Sequence, residues 1–147
     1  MNGKSSGNQV AIDNVRKRMS KDGCGKSSGE MYVRFLYRIM LIAQLFPQCE
    51  VNIVATCKNR YMCSGNNESF RKSFLKQFHH VRGVMFRGSL FENVGDFSLS
   101  IDFWRAGEQK DKKHFKTAFL DYDEESHKWS KLKDLVIYNT DGEMRIT

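Results

Sequence analysis

Alternation of apolar and polar residues is clearest near the middle of the chain, where it predicts two β-strands. Residues 97–104 alternate apolar side chains with serine and aspartate, which is the period-two pattern of a strand. Residues 81–87 form a second strand-like run. The segment between them, residues 88–96, is a glycine-bounded loop that carries Phe91. A large aromatic side chain in such a loop either folds back onto the core or faces a flat ligand.

Apolar residues at a spacing of three and four predict a long helix earlier in the chain. This helix covers residues 30–46, and Tyr32 and Phe35 belong to its apolar stripe. Ser27 and Glu30 stand three residues apart just before it, which is the pattern of a capping box. We therefore expect the helix to begin at this pair.

A strand, a loop and a second helix are predicted next. Residues 51–57 are a short apolar run typical of a buried strand, and residues 58–67 form the loop that follows it. Ligands of open α/β sheets usually bind beyond the carboxyl ends of the strands, so this loop is a candidate binding segment. Residues 68–78 predict an amphipathic helix, with Arg71 and Lys72 away from its apolar stripe. The stripe consists of Phe70, Phe74 and Phe78.

The order of helix, strand, helix and strand predicts an α/β sheet. Residues 115–122 and 126–132 are predicted to pair as a C-terminal hairpin. Residues 10–19 predict a short helix, and residues 1–9, rich in glycine, serine and asparagine, are expected to be disordered. With 147 residues in total, the chain is expected to form one domain.

Charge and composition narrow the possible partners. The chain has 24 lysine and arginine residues against 17 aspartate and glutamate residues, a net charge of +7. Such a balance favours a polyanion, and nucleic acid is the commonest; the alternative is a basic protein without such a partner. The apolar run at residues 39–46 is too short to span a membrane, and the N-terminus lacks a signal-peptide core. We expect a cytoplasmic protein with no membrane contact.

The cysteines and histidines do not form a metal-binding pattern. None of the four cysteines belongs to a CxxC pair, and the four histidines do not complete a zinc motif. The sequence therefore predicts no metal site and predicts free thiols in a reducing compartment. The cysteines are Cys24, Cys49, Cys57 and Cys63.

Four segments together resemble a known family in order and spacing. They are MYVRFLYRI, VNIVATCKNRYMCSG, ESFRKSFLKQF and GVMFRGSLFENVGDFSLSIDFW. This order resembles the second half of the catalytic domain of adenine-specific DNA methyltransferases of restriction–modification type, which are class I, S-adenosylmethionine-dependent enzymes. The resemblance covers residues 10–104 and extends more faintly to residue 132.

The resemblance implies a fold. It is a partial Rossmann-like methyltransferase sheet made of the last three strands, with flanking helices and a C-terminal β-hairpin. Residues 51–57 and 81–87 would be parallel strands. Residues 97–104 would lie between them, antiparallel to both.

Two departures from the family concern catalysis. The chain has no Asn/Asp-Pro-Pro-Tyr/Phe motif, since its single proline is Pro47, and no glycine-rich cofactor motif follows an early strand. Both motifs lie upstream of the matching region in the family. The resemblance therefore implies a fragment or split half of a DNA adenine methyltransferase that is unable to methylate alone. S-adenosylmethionine would be the cofactor of the complete enzyme, and it is not expected to bind well to this chain alone.

Three aromatic residues are assigned roles by the resemblance. Phe91 matches by position an aromatic residue that stacks on the target base after the base has been extruded from the duplex. Tyr32 and Phe35 match a helix that borders the cofactor pocket. For all three, simple packing on the core is the alternative.

Basic residues are assigned to DNA in the same way. Lys58, Arg60 and Tyr61 occupy the loop that faces DNA in the family, and Arg71 and Lys72 are further candidates for backbone contacts. The alternative is an ordinary solvated surface. In the family, sequence specificity resides in a region that this chain lacks or barely begins.

The same interpretation predicts a protein partner as well as DNA. In the family another strand pairs with the one at residues 51–57, and without it that strand would expose an unpaired apolar edge. The N-terminal residues 1–20, a second copy of the chain or an upstream methyltransferase half would cover the edge. The alternative function is a non-catalytic basic module that binds nucleic acid or a partner protein.

Overall fold

The computed structural model describes residues 14–91, 97–111 and 113–138. The expectation of disorder at residues 1–9 lies outside these ranges, as do the start of the predicted first helix, at residues 10–13, and residues 92–96 of the predicted loop. Within them the chain forms a five-stranded mixed sheet with flanking helices, which confirms the predicted α/β class. No helix in the described ranges combines the length and apolarity needed to cross a bilayer.

In the part of the chain that the structure describes, four α-helices and five strands follow one another. The helices are α1 (Asn14–Lys21), α2 (Met31–Leu45), α3 (Arg60–Cys63) and α4 (Glu68–Phe74). The strands are β1 (Asn52–Cys57), β2 (Phe78–Arg87), β3 (Ser98–Ala106), β4 (His114–Asp123) and β5 (Lys128–Tyr138). Short 3₁₀ turns occupy Gly25–Gly29, Gly65–Asn67 and Gly88–Leu90.

The sheet places β3 between β1 and β2, in the order β1-β3-β2-β4-β5. β3 runs antiparallel to both neighbours, so β1 and β2 are parallel to each other without touching. Asp102 of β3 is the register partner of Ala55 on one side and of Gly83 on the other. The predicted arrangement of these three strands is therefore confirmed.

The C-terminal hairpin is longer than predicted and extends the same sheet. β4 and β5 pair antiparallel from His114 opposite Tyr138 to Asp123 opposite Lys128. β4 also pairs with β2 in parallel, with Gly83 opposite Thr117. The hairpin is thus an integral part of the sheet, and its turn lies at the same end as the carboxyl end of β2.

Helix α4 is shorter than its apolar stripe suggested. It ends at Phe74, and Phe78 is the first residue of β2, paired with Ala106 of β3. All three phenylalanines of the stripe are nevertheless buried, and the Phe74 ring lies 4.9 Å from that of Trp104. The spacing of four continues past the end of α4 because α4 and the start of β2 both place their phenylalanines in the same core.

The predicted capping box at the start of α2 is wrong. Glu30 is itself the residue that precedes the helix, and its side chain does not cap the helix. The Ser27 hydroxyl instead donates to the carbonyl of Asn66, 3.1 Å away. Glu30 accepts hydrogen bonds from Tyr32 and Asn67. Both polar residues thus tie the helix start to distant parts of the chain.

The two faces of the sheet have different surroundings. The core residues supplied by the strands, such as Ile53, Trp104 and Phe115, all lie on the face that the helices cover. On the opposite face Val54 is 64% exposed, and Ile101 and Phe103 are only half-buried. None of the described helices contributes a core contact to this second face. Among the described residues, the sheet therefore has one covered face and one open, partly apolar face.

Candidate functional site

The carboxyl ends of the parallel strands bring several predicted site residues to one end of the sheet. Lys58 directly follows β1, and the turn at Gly88–Leu90 directly follows β2. β3 begins at this same end, since Ser98 pairs with Arg87 and Ser100 pairs with Cys57. We call this end of the sheet the carboxyl edge. It is the usual ligand-binding end of an open α/β sheet.

Lys58 and Arg60 supply positive charge at the carboxyl edge. The Lys58 ammonium lies 3.8 Å from the centre of the Phe97 ring, a cation–π contact between the two ends of neighbouring strands. Arg60 begins α3 and is exposed. The predicted loop at residues 58–67 is thus a helical segment with two cations at its start.

Tyr61 does not face solvent, which corrects the prediction that it contacts DNA. Its side chain is 1% exposed, and its hydroxyl donates to Oδ2 of Asp102 at 3.2 Å and accepts from Nε1 of Trp104 at 3.1 Å. Burial, reinforced by the charge of Asp102, raises the pKa of Tyr61 well above its usual value. Tyr61 turns inward because its phenol finds both a donor and an acceptor in the core.

Arg71 is also buried, so the prediction that it lies away from the apolar stripe is wrong. It is 2% exposed and donates to the carbonyls of Tyr61 and Ser64, each at 2.9 Å. The guanidinium is thereby engaged inside the protein, where phosphate cannot reach it. Lys72 is exposed and contacts Glu68 on the same helix. Helix α4 precedes the amino end of β2, whereas Phe91 follows the carboxyl end of that strand. The helix that carries Arg71 and Lys72 and the residue Phe91 therefore flank opposite ends of β2.

Tyr32 and Phe35 have different surroundings. The Tyr32 ring is half-buried and lies 6.2 Å from the ring of Tyr61, edge to face. Phe35 is 57% exposed. Core packing accounts for Tyr32, and a free face remains only on Phe35.

Phe91 packs on the sheet with part of its side chain and leaves the rest exposed. Its ring centre lies 5.8 Å from that of Phe86, so one side packs on the sheet. The side chain is still 48% exposed. Phe86 itself is only 4% exposed, although it lies on the open face of the sheet and outside the main core. Phe91 is therefore anchored on one side and available on the other.

A cleft opens beside Phe91, with the hairpin as its second side. Its volume is about 570 Å³. The Trp129 ring lies 5.9 Å from that of Phe86 and 5.2 Å from that of Tyr122, so the buried Phe86 packs against both Phe91 and Trp129. We call this cavity the aromatic cleft. It is lined by Leu90, Phe91, Tyr122, Glu124, His127 and Trp129.

Side-chain hydrogen bonds order the hairpin turn. Asp123 accepts from the backbone N–H of Glu125 at 3.0 Å and from the Ser126 hydroxyl at 2.6 Å. The Ser126 contact is the main reason that the pKa of Asp123 lies below its usual value. The Tyr122 hydroxyl and Nδ1 of His127 lie 3.0 Å apart. These contacts fix the turn that brings Glu124 and His127 to the aromatic cleft.

The contribution of the hairpin was not foreseen from the sequence. The signal was present, because Tyr122 and Trp129 flank the turn symmetrically and are register partners in β4 and β5. Two aromatic residues paired at the end of a hairpin share one face of the sheet. Only the parallel pairing of β4 with β2 places that face next to Phe91.

A buried polar cluster lies on the covered face of the sheet. Asp102 is fully buried, and its carboxylate contacts Nε2 of His80 at 3.0 Å and the Ser100 hydroxyl at 2.6 Å. Tyr61 completes the cluster through Oδ2 of Asp102. Because the cluster is sealed from solvent, we assign it to the stability of the sheet.

The described residues contain no group of three or more histidine, cysteine, aspartate or glutamate side chains that could hold a metal ion. Comparison of the sequence with models of protein families, with curated proteins and with solved structures found no match. Functional conclusions therefore rest on the geometry of the carboxyl edge and on the pattern of the sequence.

Proposed function

We propose that the chain is a fragment or split half of an S-adenosylmethionine-dependent DNA adenine methyltransferase, with a partial Rossmann-like sheet. It would contribute contacts to the target base and the DNA backbone and would not methylate alone. The observation that carries the proposal is the position of β3, antiparallel between the parallel strands β1 and β2. The methyltransferase resemblance requires this order.

The base contact is assigned to Phe91. An enzyme that modifies a base must take it out of the stack and hold it, and an exposed aromatic ring on a fixed support can do so. Phe91 has such a support in Phe86 and keeps 48% of its surface open. Stacking of a base on an aromatic side chain contributes roughly 1–3 kcal/mol.

The backbone contacts are assigned to the β1 side of the carboxyl edge. Lys58 and Arg60 lie there, and cations near phosphates release counterions on binding. The end of β4 and the hairpin turn at the other side carry Asp121, Asp123, Glu124 and Glu125, which repel phosphate. The charge distribution thus supports a backbone that runs past β1 while an extruded base lies toward β4.

The sheet also supports an incomplete catalytic domain. In the described residues β1 has a single neighbour, β3, and the strand carries no charged residue that would discourage pairing. Val54, at its centre, is exposed on the open face. An upstream methyltransferase half, or a second copy of the chain, would pair with this edge.

A second candidate is a non-catalytic basic module that binds nucleic acid or a partner protein. The open, partly apolar face of the sheet favours it, because a partner protein can use such a face directly. This module would bind without supplying any part of a methyl-transfer site.

Methyl transfer from labelled S-adenosylmethionine to DNA separates the two candidates. The chain is measured alone and then mixed with a folded upstream half that carries the glycine-rich and Asn-Pro-Pro-Tyr motifs. The methyltransferase proposal expects no transfer from either half alone and transfer from the mixture. If the upstream half binds S-adenosylmethionine but the mixture remains inactive, the proposal is overturned in favour of the module.

A further inference from the structure

The aromatic cleft is lined by aromatic residues that come from distant parts of the chain. Phe91 forms one side, and Trp129 of the hairpin forms the other. Phe86 contacts both rings, at 5.8 Å and 5.9 Å between ring centres, and is itself buried. A flat ligand in the cleft can contact both the Phe91 ring and the Trp129 ring.

Trp129 is exposed although it is held in place. It is 50% exposed, while the other tryptophan, Trp104, is 2% exposed in the core. The Trp129 ring contacts Tyr122 at 5.2 Å, and Tyr122 is in turn fixed by His127. A supported aromatic ring with an open face is suited to stacking, because it loses little conformational freedom when a ligand arrives.

Glu124 gives the cleft a chemical preference. It is among the lining residues, and an ionised carboxylate can only accept hydrogen bonds. A ring edge that presents amino hydrogens is therefore favoured, and a phosphate or a ring edge dominated by carbonyl oxygens is disfavoured. Adenine, guanine and cytosine all carry exocyclic amino groups, whereas thymine presents two carbonyl oxygens around a single N–H. Of the three amino-bearing bases, the two purines offer the larger ring system for stacking.

We propose that the hairpin completes a two-sided slot for an amino-bearing purine base, with Trp129 stacking opposite Phe91 and Glu124 accepting from the exocyclic amino group. The inference rests on the proposed function only for the assignment of a base to Phe91. It adds Trp129 as a second stacking residue and Glu124 as a residue that determines specificity.

Free nucleosides test the slot without DNA. Adenosine, guanosine and thymidine are titrated into the intact chain, with tryptophan fluorescence and calorimetry as readouts. Because Trp104 is buried and Trp129 is exposed, ligand-dependent quenching reports on the cleft. We expect both purine nucleosides to quench the fluorescence and to bind about tenfold more tightly than thymidine, the size of one hydrogen bond to a charged group.

Single variants test the contributions of the Trp129 ring and of the Glu124 carboxylate separately. Trp129→Leu should weaken purine binding on the order of tenfold by calorimetry, while Leu132→Ala, a matched exposed change on the same strand, should not. Glu124→Gln should remove most of the preference over thymidine, and Glu125→Gln should leave it unchanged. Circular dichroism and thermal unfolding establish that each variant is folded.

Each contrary result has a distinct meaning. Unchanged affinity in Trp129→Leu, with affinity lost in Phe91→Ala, would overturn the two-sided slot and leave the base contact of Phe91 intact. Unchanged preference in Glu124→Gln would overturn the role of the carboxylate. Tighter binding of tetramethylammonium than of any nucleoside would identify a cation site and overturn the inference. If the proposed function is wrong, the wild-type chain will instead fail to bind DNA, and its mixture with the upstream half will not transfer methyl groups.

Discussion

His80 and Asp102 meet inside the protein, where Nε2 of His80 lies 3.0 Å from Oδ1 of Asp102 and the two side chains are 3% and 0% exposed. The contact joins β2 to β3 on the face covered by the helices. Gly83, the register partner of Asp102, leaves room for the carboxylate, because a Cβ at that position would lie 2.4 Å from Oδ1. The sheet is thus built around a buried acid with several polar partners.

Removing this acid should destabilise the whole domain. Asp102→Ala leaves His80, Ser100 and Tyr61 without their shared acceptor, and each buried polar group left without its partner costs about 1–3 kcal/mol of the free energy of unfolding. Urea unfolding followed by circular dichroism measures the loss. Asp134→Ala, which removes an exposed aspartate paired with Lys131, is the control and should cost less than about 1 kcal/mol. Equal small losses would show that the buried cluster does not stabilise the sheet.

Alkaline pH should lower stability through Cys57. Burial, with the nearby charge of Asp102 adding to it, raises the pKa of Cys57 from 9.0 to about 12. The unfolded thiol ionises first as the pH rises, so the unfolded state binds fewer protons and the free energy of unfolding falls above about pH 9.

Urea unfolding at about pH 8 and about pH 10 measures this fall. Cys57→Ala should reduce the difference between the two values. Cys49→Ala, a change at an exposed cysteine, should leave it as in the wild type. A fall that is identical in both variants would assign the alkaline effect to other groups.

The order of β1, β3 and β2 was predicted through the family resemblance, but the sequence did not show which side of β3 is buried. Alternation of apolar and polar residues indicates a strand without saying which side faces the helices. Here Ser100 and Asp102 face the helices, while Leu99 and Ile101 are half-buried on the open face. The polar side is buried because His80 and Tyr61 form hydrogen bonds with the Asp102 carboxylate. In sequence, His80 is 22 residues from Asp102 and Tyr61 is 41 residues from it.

The candidate site was predictable to a similar extent. Phe91, Lys58 and Arg60 lie at the carboxyl edge, where the order of elements placed them. Arg71 was predicted to be on the surface, because helical spacing does not show that the carbonyls of Tyr61 and Ser64 need a buried donor. The hairpin side of the cleft was missed because the partner of β4 depends on pairing across the whole sheet.

Binding to DNA should depend on salt through the cations at the carboxyl edge. We expect the chain to bind duplex DNA weakly, without marked sequence preference, and to lose affinity steeply as salt increases. The double variant Lys58→Ala, Arg60→Ala should reduce the slope of log affinity against log salt by about 2, since each phosphate contact contributes about one.

Fluorescence anisotropy over a range of salt concentrations measures this slope. Lys17→Ala with Lys21→Ala removes two cations from α1 as a matched control. An equal change in slope for both double variants would mean that net charge, rather than the carboxyl edge, controls binding.

The exposed edge strand should make the isolated chain self-associate. Val54→Lys puts a charge at the centre of β1, where it opposes both strand pairing and contact through the open face. Light scattering should show a smaller mass for this variant than for the wild type. Ser69→Lys, on α4, adds the same charge elsewhere and should not change the mass. A wild-type protein that remains monomeric at high concentration would contradict this account of the edge.

The most direct test of the central claim is the preference of Phe91 for a base that is easily extruded. Affinity is measured for two duplexes that differ only in whether one adenine is paired or mismatched, with wild type and Phe91→Ala. A mismatched adenine needs less energy to leave the stack, so the wild type should bind that duplex more tightly. Phe91→Ala should lose roughly 1–3 kcal/mol of binding free energy for the mismatched duplex and much less for the matched duplex. Equal losses on the two duplexes would contradict a base-stacking role for Phe91.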